Sequence, residues 1–458
     1  MTMNRISSHG ALHGGAPPPG ISAEPLIINV CLSGNVPTKE SSPHLPVSVE
    51  EIVEDGLAVL AGGASMLHVH ARTADGAPAW QPEIYGRIFE GIRQHHPDAI
   101  LVATTSGRQH ADLEKRSAVL SLRGAAKPDM ASLTLGSMNF PQQPSLNSPE
   151  TIQSLCMLMR ENGITPELEA FEPGMLNYAF YLQRKGFLPE TCYVNLLLGS
   201  LGTTPGRVVD LANLVRELPC NWIWAGAGIG RYQLSMNCAA VLMGGHVRVG
   251  LEDNPCYDYL ECEAATNRGF VERIVKLAGL LGRPLATIGE TRRRLRLDDG
   301  ENWGATQIII RKIRDADLGP AMALLAKWNM APVQASSHVP DPERDHLDMA
   351  NTFVACRREQ VIGVASWLRI DSSRAETASL AVDPEFIGCG TGYKLQEARL
   401  AEMRSRGIRH VRTEADRPEV IRWYVNKFGY RITGTNPKKH AFGLAGRDHW
   451  TVLELELT

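Results

Sequence analysis

Leu67-His68-Val69-His70-Ala71 carries imidazoles at alternate positions, and on an extended strand, with its period of two, both face one way while Val69 faces the other. On a helix they could not converge. Far along the chain, Arg248-Val249-Gly250-Leu251-Glu252-Asp253-Asn254 ends another apolar run with two carboxylates beside a guanidinium. Neutral His68 and His70 with the carboxylate of Glu252 make a three-ligand divalent site. Three protein ligands leave coordination positions open for substrate, the pattern of catalytic rather than structural zinc. The plain alternative for Glu252 is an ion pair with Arg248. A divalent metal held there is a Lewis acid that stabilises charge developing on a bound oxygen, and a carboxylate beside it, such as Asp253, is a suitable proton acceptor. In a regular strand Asp253 alternates away from Glu252, so both reach one site only where the strand turns or bulges.

A second set of residues suits phosphate. Leu380-Ala381-Val382-Asp383-Pro384-Glu385-Phe386-Ile387-Gly388-Cys389-Gly390-Thr391-Gly392-Tyr393 joins an apolar strand pattern to a helical one through three glycines. Backbone N–H groups of such a loop converge on phosphate oxygens at the positive end of the following helix, with no basic side chain required. The other reading of the string is a simple turn.

The elements that position these residues follow from the pattern of the chain. Eight short apolar runs, Leu26–Leu32, Met66–Ala71, Ile100–Ser106, Met130–Leu135, Glu167–Phe171, Tyr193–Leu198, Trp222–Ala227 and His246–Glu252, alternate with segments of helical length. The clearest helices are Ser48–Leu60, where Ser48 and Glu51 have capping-box spacing, and Thr151–Asn162. Strands separated by helices imply right-handed crossovers and a parallel sheet, and eight repeats fit a closed (β/α)8 TIM barrel over residues 25–288. The barrel puts His68, His70 and Glu252 at its C-terminal rim, where barrel enzymes place their chemistry.

Gly282-Arg283-Pro284 and the charged stretch beyond it mark a boundary, with residues 289–305 expected to be a linker. Residues 306–458 read as a C-terminal α+β domain. Thr306–Ile313 is a strand, Gly319–Trp328 a helix and 331–345 a polar connection. Thr352–Arg357, Val361–Ile370 and Ala375–Val382 are antiparallel strands; then come a helix over Gly388–Arg406, a strand at Val411–Glu414, a helix at Glu419–Phe428 and a strand at Trp450–Leu457.

The 458 residues, 43% hydrophobic and 21% charged, are those of a soluble globular chain long enough for two domains. Lys+Arg is 47 against Asp+Glu 50, a net charge of -3, so no global basic field exists for nucleic acid or an anionic membrane. Small-molecule chemistry is the expectation. The nine cysteines are scattered with no close CxxC pair, which suggests a reducing, cytoplasmic setting. Residues 1–24 lack the apolar core of a signal peptide and read as a flexible tail.

The residues also carry resemblances. Pro37-Thr38-Lys39-Glu40 with Pro43-His44-Leu45-Pro46, His68-Val69-His70-Ala71-Arg72, Ser132-Leu133-Thr134, Pro166-Glu167-Leu168-Glu169, Ala227-Gly228-Ile229-Gly230-Arg231 and Arg248 through Asn254 resemble the β-keto acid cleavage enzymes over nearly all of residues 25–288. That resemblance implies a zinc-dependent barrel that condenses a β-keto acid with acetyl-CoA and cleaves the adduct to acetoacetate and a new acyl-CoA. It implies that His68, His70 and Glu252 hold the zinc, that Asp253 is the base and that Arg248 orients it. It aligns Thr104, Gly107 and Ser132 with the holders of the substrate carboxylate; Thr104 and Ser132 are otherwise ordinary strand hydroxyls. Glu169 lies where the family can carry an acid facing the variable end of the substrate, and Glu167, on the same strand face, competes for that role. Asn35-Val36 stands where an amine-accepting member has a further acid, which argues against a simple amino-keto acid. A homo-oligomer built through the barrel is expected.

The segment from Leu380 to Tyr393 resembles motif A of the GNAT acetyltransferases, and Arg422-Trp423-Tyr424-Val425-Asn426-Lys427-Phe428-Gly429-Tyr430 resembles their later helix beside the CoA arm. The implied acetyl-CoA site comprises Val382, Gly388, Cys389, Gly390, Thr391 and Gly392. Tyr424 would protonate the departing thiolate, or else simply pack. Glu376, Glu414 and Asp416 are rival bases for an amine acceptor. Ile387 departs from the polar position that opens the family's loop, which leaves the backbone cradle intact.

Three readings follow. The first is a bifunctional enzyme in which a β-keto acid cleaving barrel is fused to an N-acyl transferase. The second keeps the barrel active and makes the C-terminal domain a CoA-binding or oligomerising module. The third is a zinc aldolase or lyase on the same barrel.

Overall fold

The computed structural model describes residues 22, 24–140, 143–260, 263–298, 308–330, 347–357, 359–387, 390–438 and 443–457. The tail over residues 1–20, the connection at 331–345, Gly388 and Cys389 lie outside the described residues. The chain forms two compact units, one within residues 24–298 and one within 308–457.

The first unit is a closed parallel barrel of β1 (Ile28–Cys31), β2 (Met66–Val69), β3 (Ile100–Ala103), β4 (Met130–Thr134), β5 (Thr165–Ala170), β6 (Tyr193–Leu198), β7 (Ile223–Gly228) and β8 (His246–Val249). Each coincides with one of the expected apolar runs. Their Val, Ile, Leu and Met side chains are buried on both faces, as a sheet enclosed by helices requires. Helices α1 (Val49–Ala61), α2 (Pro82–Arg93), α3 (Leu113–Ser117), α4 (Pro149–Glu161), α5 (Pro173–Arg184), α6 (Val208–Glu217), α7 (Gln233–Leu242) and α8 (Asn267–Leu280) connect and follow the strands. The capping box at the start of α1 forms as its spacing requires: Ser48 accepts from the Glu51 N–H and the Glu51 carboxylate accepts from the Ser48 N–H.

The apolar floor of the barrel joins Ile27, Met66, Ile100, Val102, Met130, Tyr193 and Ala225 to Ala286 and Leu295. Leu295 directly follows a further helix, α9 (Ile288–Arg294), opened by a capping box between Thr287 and Glu290. Arg292 also pairs with the barrel's Asp129 at 2.9 Å. The expected linker is therefore corrected at its start: residues 289–298 belong to the barrel's floor, and 299–305 lie outside the described residues.

The second unit is a seven-stranded sheet. Its strands are β9 (Ile308–Lys312), β10 (Thr352–Arg357), β11 (Gln360–Arg369), β12 (Arg374–Val382), β13 (His410–Ala415), β14 (Arg431–Pro437) and β15 (His449–Glu456), in spatial order β9-β10-β11-β12-β13-β15-β14. Its helices are α10 (Leu318–Lys327), α11 (Thr391–Ser405) and α12 (Pro418–Phe428). Strand β14 had no counterpart in the sequence pattern because its side chains are almost all exposed and lack an apolar face. The parallel pairing of β12 with β13 stops at Thr377 and Thr413, and beyond it the two strands part.

Among the described residues no helix is long and apolar enough to cross a membrane, and the seven described cysteines are free.

Candidate active site

Barrel register brings the chemistry together. Cys31 pairs with His68, Asn29 with Arg248, Ser132 with Glu167, and Thr134 with Glu169, so residues from distant stretches share one level inside the barrel. His68 is the third residue of β2, and His70 lies one residue past the strand's end rather than on it. Their Nε2 atoms stand 3.3 Å apart.

Strand β8 stops at Val249, three residues short of the expected end, and the chain turns through Gly250. A Cβ on Gly250 would sit 2.1 Å from the Cys31 carbonyl oxygen, so only glycine lets the turn press against β1. This turn is the departure from regular strand that Glu252 and Asp253 need to reach one site. Glu252 Oε1 lies 3.2 Å from His70 Nε2, and Oε2 lies 3.7 Å from His68 Nε2.

Each imidazole is oriented from behind. His68 Nδ1 donates to Glu167 Oε2 at 2.6 Å, and His70 Nδ1 donates to Asn35 Oδ1 at 2.8 Å. With Nδ1 donating on both rings, both Nε2 atoms point at the space shared with Glu252. Burial disfavours charge on His68, yet Glu167 and Glu252 outweigh it and push the ring up to about 9. Burial holds His70 below its ordinary value. Burial opposes the charge on Glu252, but His70, Arg248 and His68 prevail and hold it well below the usual carboxylate range.

These residues fit a divalent metal ion. The donor atoms of His68, His70 and Glu252 lie within 4.8 Å of one another, and the buried Glu252 Oε2 has no hydrogen-bond partner. Two ring nitrogens and an unpartnered carboxylate oxygen converge on one space that positive charge must fill, a metal ion or, without one, a proton on His68.

Arg248, fully buried, is the hub of the acids. Its NH1 donates to Glu169 Oε1 at 3.0 Å, its NH2 to Glu252 Oε1 at 2.9 Å, and its Nε to Asp253 Oδ2 at 3.0 Å. Asp253 Oδ2 also accepts from the Cys31 thiol at 3.2 Å; burial, then Asp253, pushes that thiol well up, so it stays a donor. Asp253 Oδ1 has only a long 3.4 Å contact to Arg248 NH2, which makes it the oxygen free to take a proton.

The two acids of β5 separate in role. Glu167, fully buried, accepts from His68 and from Asn29 Nδ2 at 2.6 Å. Glu169 accepts from Arg248 and from Thr134 Oγ1 at 2.8 Å. Thr104 lines a cavity with Asn35, Trp80, Ser106 and Arg116, and its hydroxyl accepts from the Ser106 N–H. Ser132 Oγ accepts from the Thr105 N–H at 3.1 Å and keeps its own proton to donate. At Gly107 a Cβ would lie 2.6 Å from Arg116 NH1, so the buried Arg116 fills the space behind it. The orienting roles of Glu167, Asn35 and Cys31 had no signal in local sequence.

In the second unit, Gly390 takes a left-handed φ of 74° and precedes α11, and a Cβ there would meet nothing. Thr391 is buried at the start of the helix, and Gly392 packs near Val382 and Trp423. The Val382 carbonyl already accepts from the Trp328 indole at 2.7 Å. Tyr424 lies in the core, 3% exposed, and its hydroxyl accepts from the buried Arg399 at 2.9 Å, a bond that does not use the hydroxyl's own proton. Among the rival bases, Glu414 is held by Arg412 and Asn436, and Asp416 by Lys438 and the Leu444 N–H. Glu376 sits on β12 opposite Leu368 and Arg412.

Comparison with known proteins agrees with this layout. Residues 25–297 match the family model described as beta-keto acid cleavage enzyme, and residues 322–430 match that of the GNAT acetyltransferase family. The chain is 37% identical over 281 residues to the 3-oxoadipate:acetyl-CoA acetyltransferase of Cupriavidus necator, covering 61% of this chain and 97% of the relative. It is 37% identical over 276 residues to the 3-keto-5-aminohexanoate cleavage enzyme of Fusobacterium nucleatum, covering 60% and 98%. It is 28% identical to the 3-dehydrocarnitine:acetyl-CoA trimethylamine transferase of Rhizobium meliloti over 59% of this chain and 96% of the relative. A solved binary complex of ObcA with oxaloacetate shares the fold at a TM-score of 0.51 and 18% identity, over 56% of this chain and 67% of that one. The chain therefore belongs to the β-keto acid cleavage enzyme family, with a GNAT acetyltransferase domain following the barrel.

Proposed function

We propose that the barrel exchanges acyl groups between a β-keto acid and acetyl-CoA, yielding acetoacetate and a new acyl-CoA. The single observation that carries this reading is the placing of a metal-fitting triad, His68, His70 and Glu252, beside the free Oδ1 of Asp253. Zinc held by that triad supplies Lewis-acid stabilisation for charge developing on the substrate's oxygens. Asp253 Oδ1 takes the proton from C2 of the keto acid. The resulting carbanion attacks the acetyl carbonyl and CoA leaves as thiolate; the thiolate then attacks the former 3-keto carbon, the C2–C3 bond breaks to release the acyl-CoA, and the carbanion left on C2 takes the proton back from Asp253 to give acetoacetate. Arg248 keeps Asp253 aimed through its bond to Oδ2. Thr104, Gly107 and Ser132 hold the substrate carboxylate, and Glu169 faces the group that varies among substrates. Two relatives are named for acetyl-CoA, which supports it as cosubstrate.

The second unit binds acetyl-CoA through the loop of Gly388, Cys389, Gly390, Thr391 and Gly392, with Val382 beside it. The opening between β12 and β13 supports this placement. Transfer to an amine completes a bifunctional, cytoplasmic enzyme assembled as a homo-oligomer through its barrel. A non-catalytic CoA-binding module is the second reading, favoured by the tied carboxylates of Glu414 and Asp416.

The test is a panel of β-keto acids with acetyl-CoA, read by mass spectrometry. Paired appearance of acetoacetate and the matching acyl-CoA is expected. Cleavage that proceeds without acetyl-CoA would leave the aldolase or lyase reading instead.

A further inference from the structure

The turn that delivers Glu252 is held by an amide far from any reacting atom. Asn267, the first residue of α8, is fully buried, and its place is fixed by Thr266, which caps the helix by accepting from the Gly269 N–H at 2.9 Å. Asn267 Oδ1 accepts from the Leu251 N–H at 2.8 Å. Its Nδ2 donates to the Leu32 carbonyl at 2.9 Å and to Asp55 Oδ2, on α1, at 2.6 Å. Leu251 adjoins ligand Glu252, and Leu32 opens the loop that carries Asn35 to His70. One amide thus ties together the two segments whose spacing sets the triad, and Asp55 locks which end of that amide faces which segment.

We infer that Asn267, locked by Asp55, is a positioning residue for the metal site. The inference rests on the reading of His68, His70 and Glu252 as metal ligands. Partners that orient ligands from outside commonly change metal affinity by roughly 10–100-fold, and Asn267 acts on the backbone of a ligand in the same way. Replacing the amide by a carboxylate of equal shape removes both N–H donors and sets two acids against each other. Replacing Asp55 by Asn in the same chain restores one bond in the opposite direction, from residue 55 to residue 267.

The test uses the full chain and zinc alone, with affinity measured by competition against a chromophoric chelator and melting followed on the metal-free protein. Asn267→Asp should weaken zinc binding about 10-fold or more, and adding Asp55→Asn should recover a large part of that loss. Leu295→Ala, in the barrel's floor, should lower the melting temperature and leave zinc affinity unchanged, which separates positioning from general loss of stability. Zinc affinity unchanged in Asn267→Asp, or weakened no more than in Leu295→Ala, overturns the inference. If Asn267→Asp does not fold, Asp55→Ala decides: that site is partly exposed, and the variant should still lose zinc affinity several-fold. Wild-type protein that binds no zinc overturns the metal reading itself, and the positioning role with it.

Discussion

Glu167 and His68, 99 residues apart in sequence, meet at 2.6 Å with both side chains buried. The carboxylate fixes the proton of the ring on Nδ1 and turns Nε2 toward His70 and Glu252. Glu167→Gln keeps the shape and removes the charge. Zinc affinity should fall by roughly 10–100-fold with the barrel still folded. Affinity equal to wild type in a chelator competition would leave Glu167 without an orienting role.

The same pair sets a pH dependence. In the metal-free protein His68 stays charged up to about 9, against an ordinary value of 6.5. A raised value in the folded state contributes stability that is complete below about 6.5 and is lost as pH rises through about 9. The chelated protein should therefore melt at steadily lower temperature across that window, and a His68→Gln variant should show a smaller slope. Zinc needs the Nε2 lone pair, so loading at pH 8 should release about one proton from His68. Calorimetry in buffers of different ionisation heat measures that proton.

Asp253→Asn should lower cleavage by about 100-fold or more, the common scale for removing a positioned proton acceptor, with zinc content retained. Exchange of deuterium at C2 of the bound keto acid should slow in parallel. Unchanged exchange in this variant would move the base elsewhere, with Glu169, another acid bonded to Arg248 and not one of the metal-fitting triad, the next candidate.

Much of this site was legible in the chain. His68 and His70 share a face because a strand has a period of two, and the apolar runs were sufficient to count a barrel's strands. What stayed hidden depends on closure in three dimensions. Glu167 and Glu169 are equivalent along β5, and only closure of the barrel, which sets β2 and β8 across its interior from β5, gives one to His68 and the other to Arg248. The turn at Gly250 was required by the chemistry, but its cause, the press of the Cys31 carbonyl, lies on another strand. For Tyr424 the hidden part is its partner: the motif suggested catalysis, and Arg399, which donates to its hydroxyl, sits on a different helix.

The barrel's floor decides where the chain can be cut. A chain ending at residue 288 loses Leu295 from the apolar floor and the Arg292–Asp129 pair, whereas one ending at residue 298 keeps both. Truncating a buried leucine to alanine alone commonly costs about 2–5 kcal/mol. The shorter chain should melt well below the longer one or fail to accumulate, and the longer should retain keto acid cleavage. Equal melting temperatures would return residues 289–298 to the linker.

In the second unit the loop and the tyrosine make opposite predictions. Gly390→Glu places a negative side chain on a left-handed residue at the start of α11, where phosphate oxygens would meet the helix's free N–H groups. Calorimetry with acetyl-CoA, in protein whose barrel carries Asp253→Asn to prevent turnover, should lose the binding that belongs to the second unit and keep the barrel's own. Tyr424→Phe removes a hydroxyl that only Arg399 touches, leaving one buried guanidinium N–H unpaired. That should cost about 1–3 kcal/mol of the unit's stability while acetyl-CoA binding persists. Any acetylation of an amine should persist with it. If instead Tyr424→Phe abolishes transfer with binding and stability intact, the hydroxyl donates its own proton while accepting from Arg399, and Tyr424 is the acid.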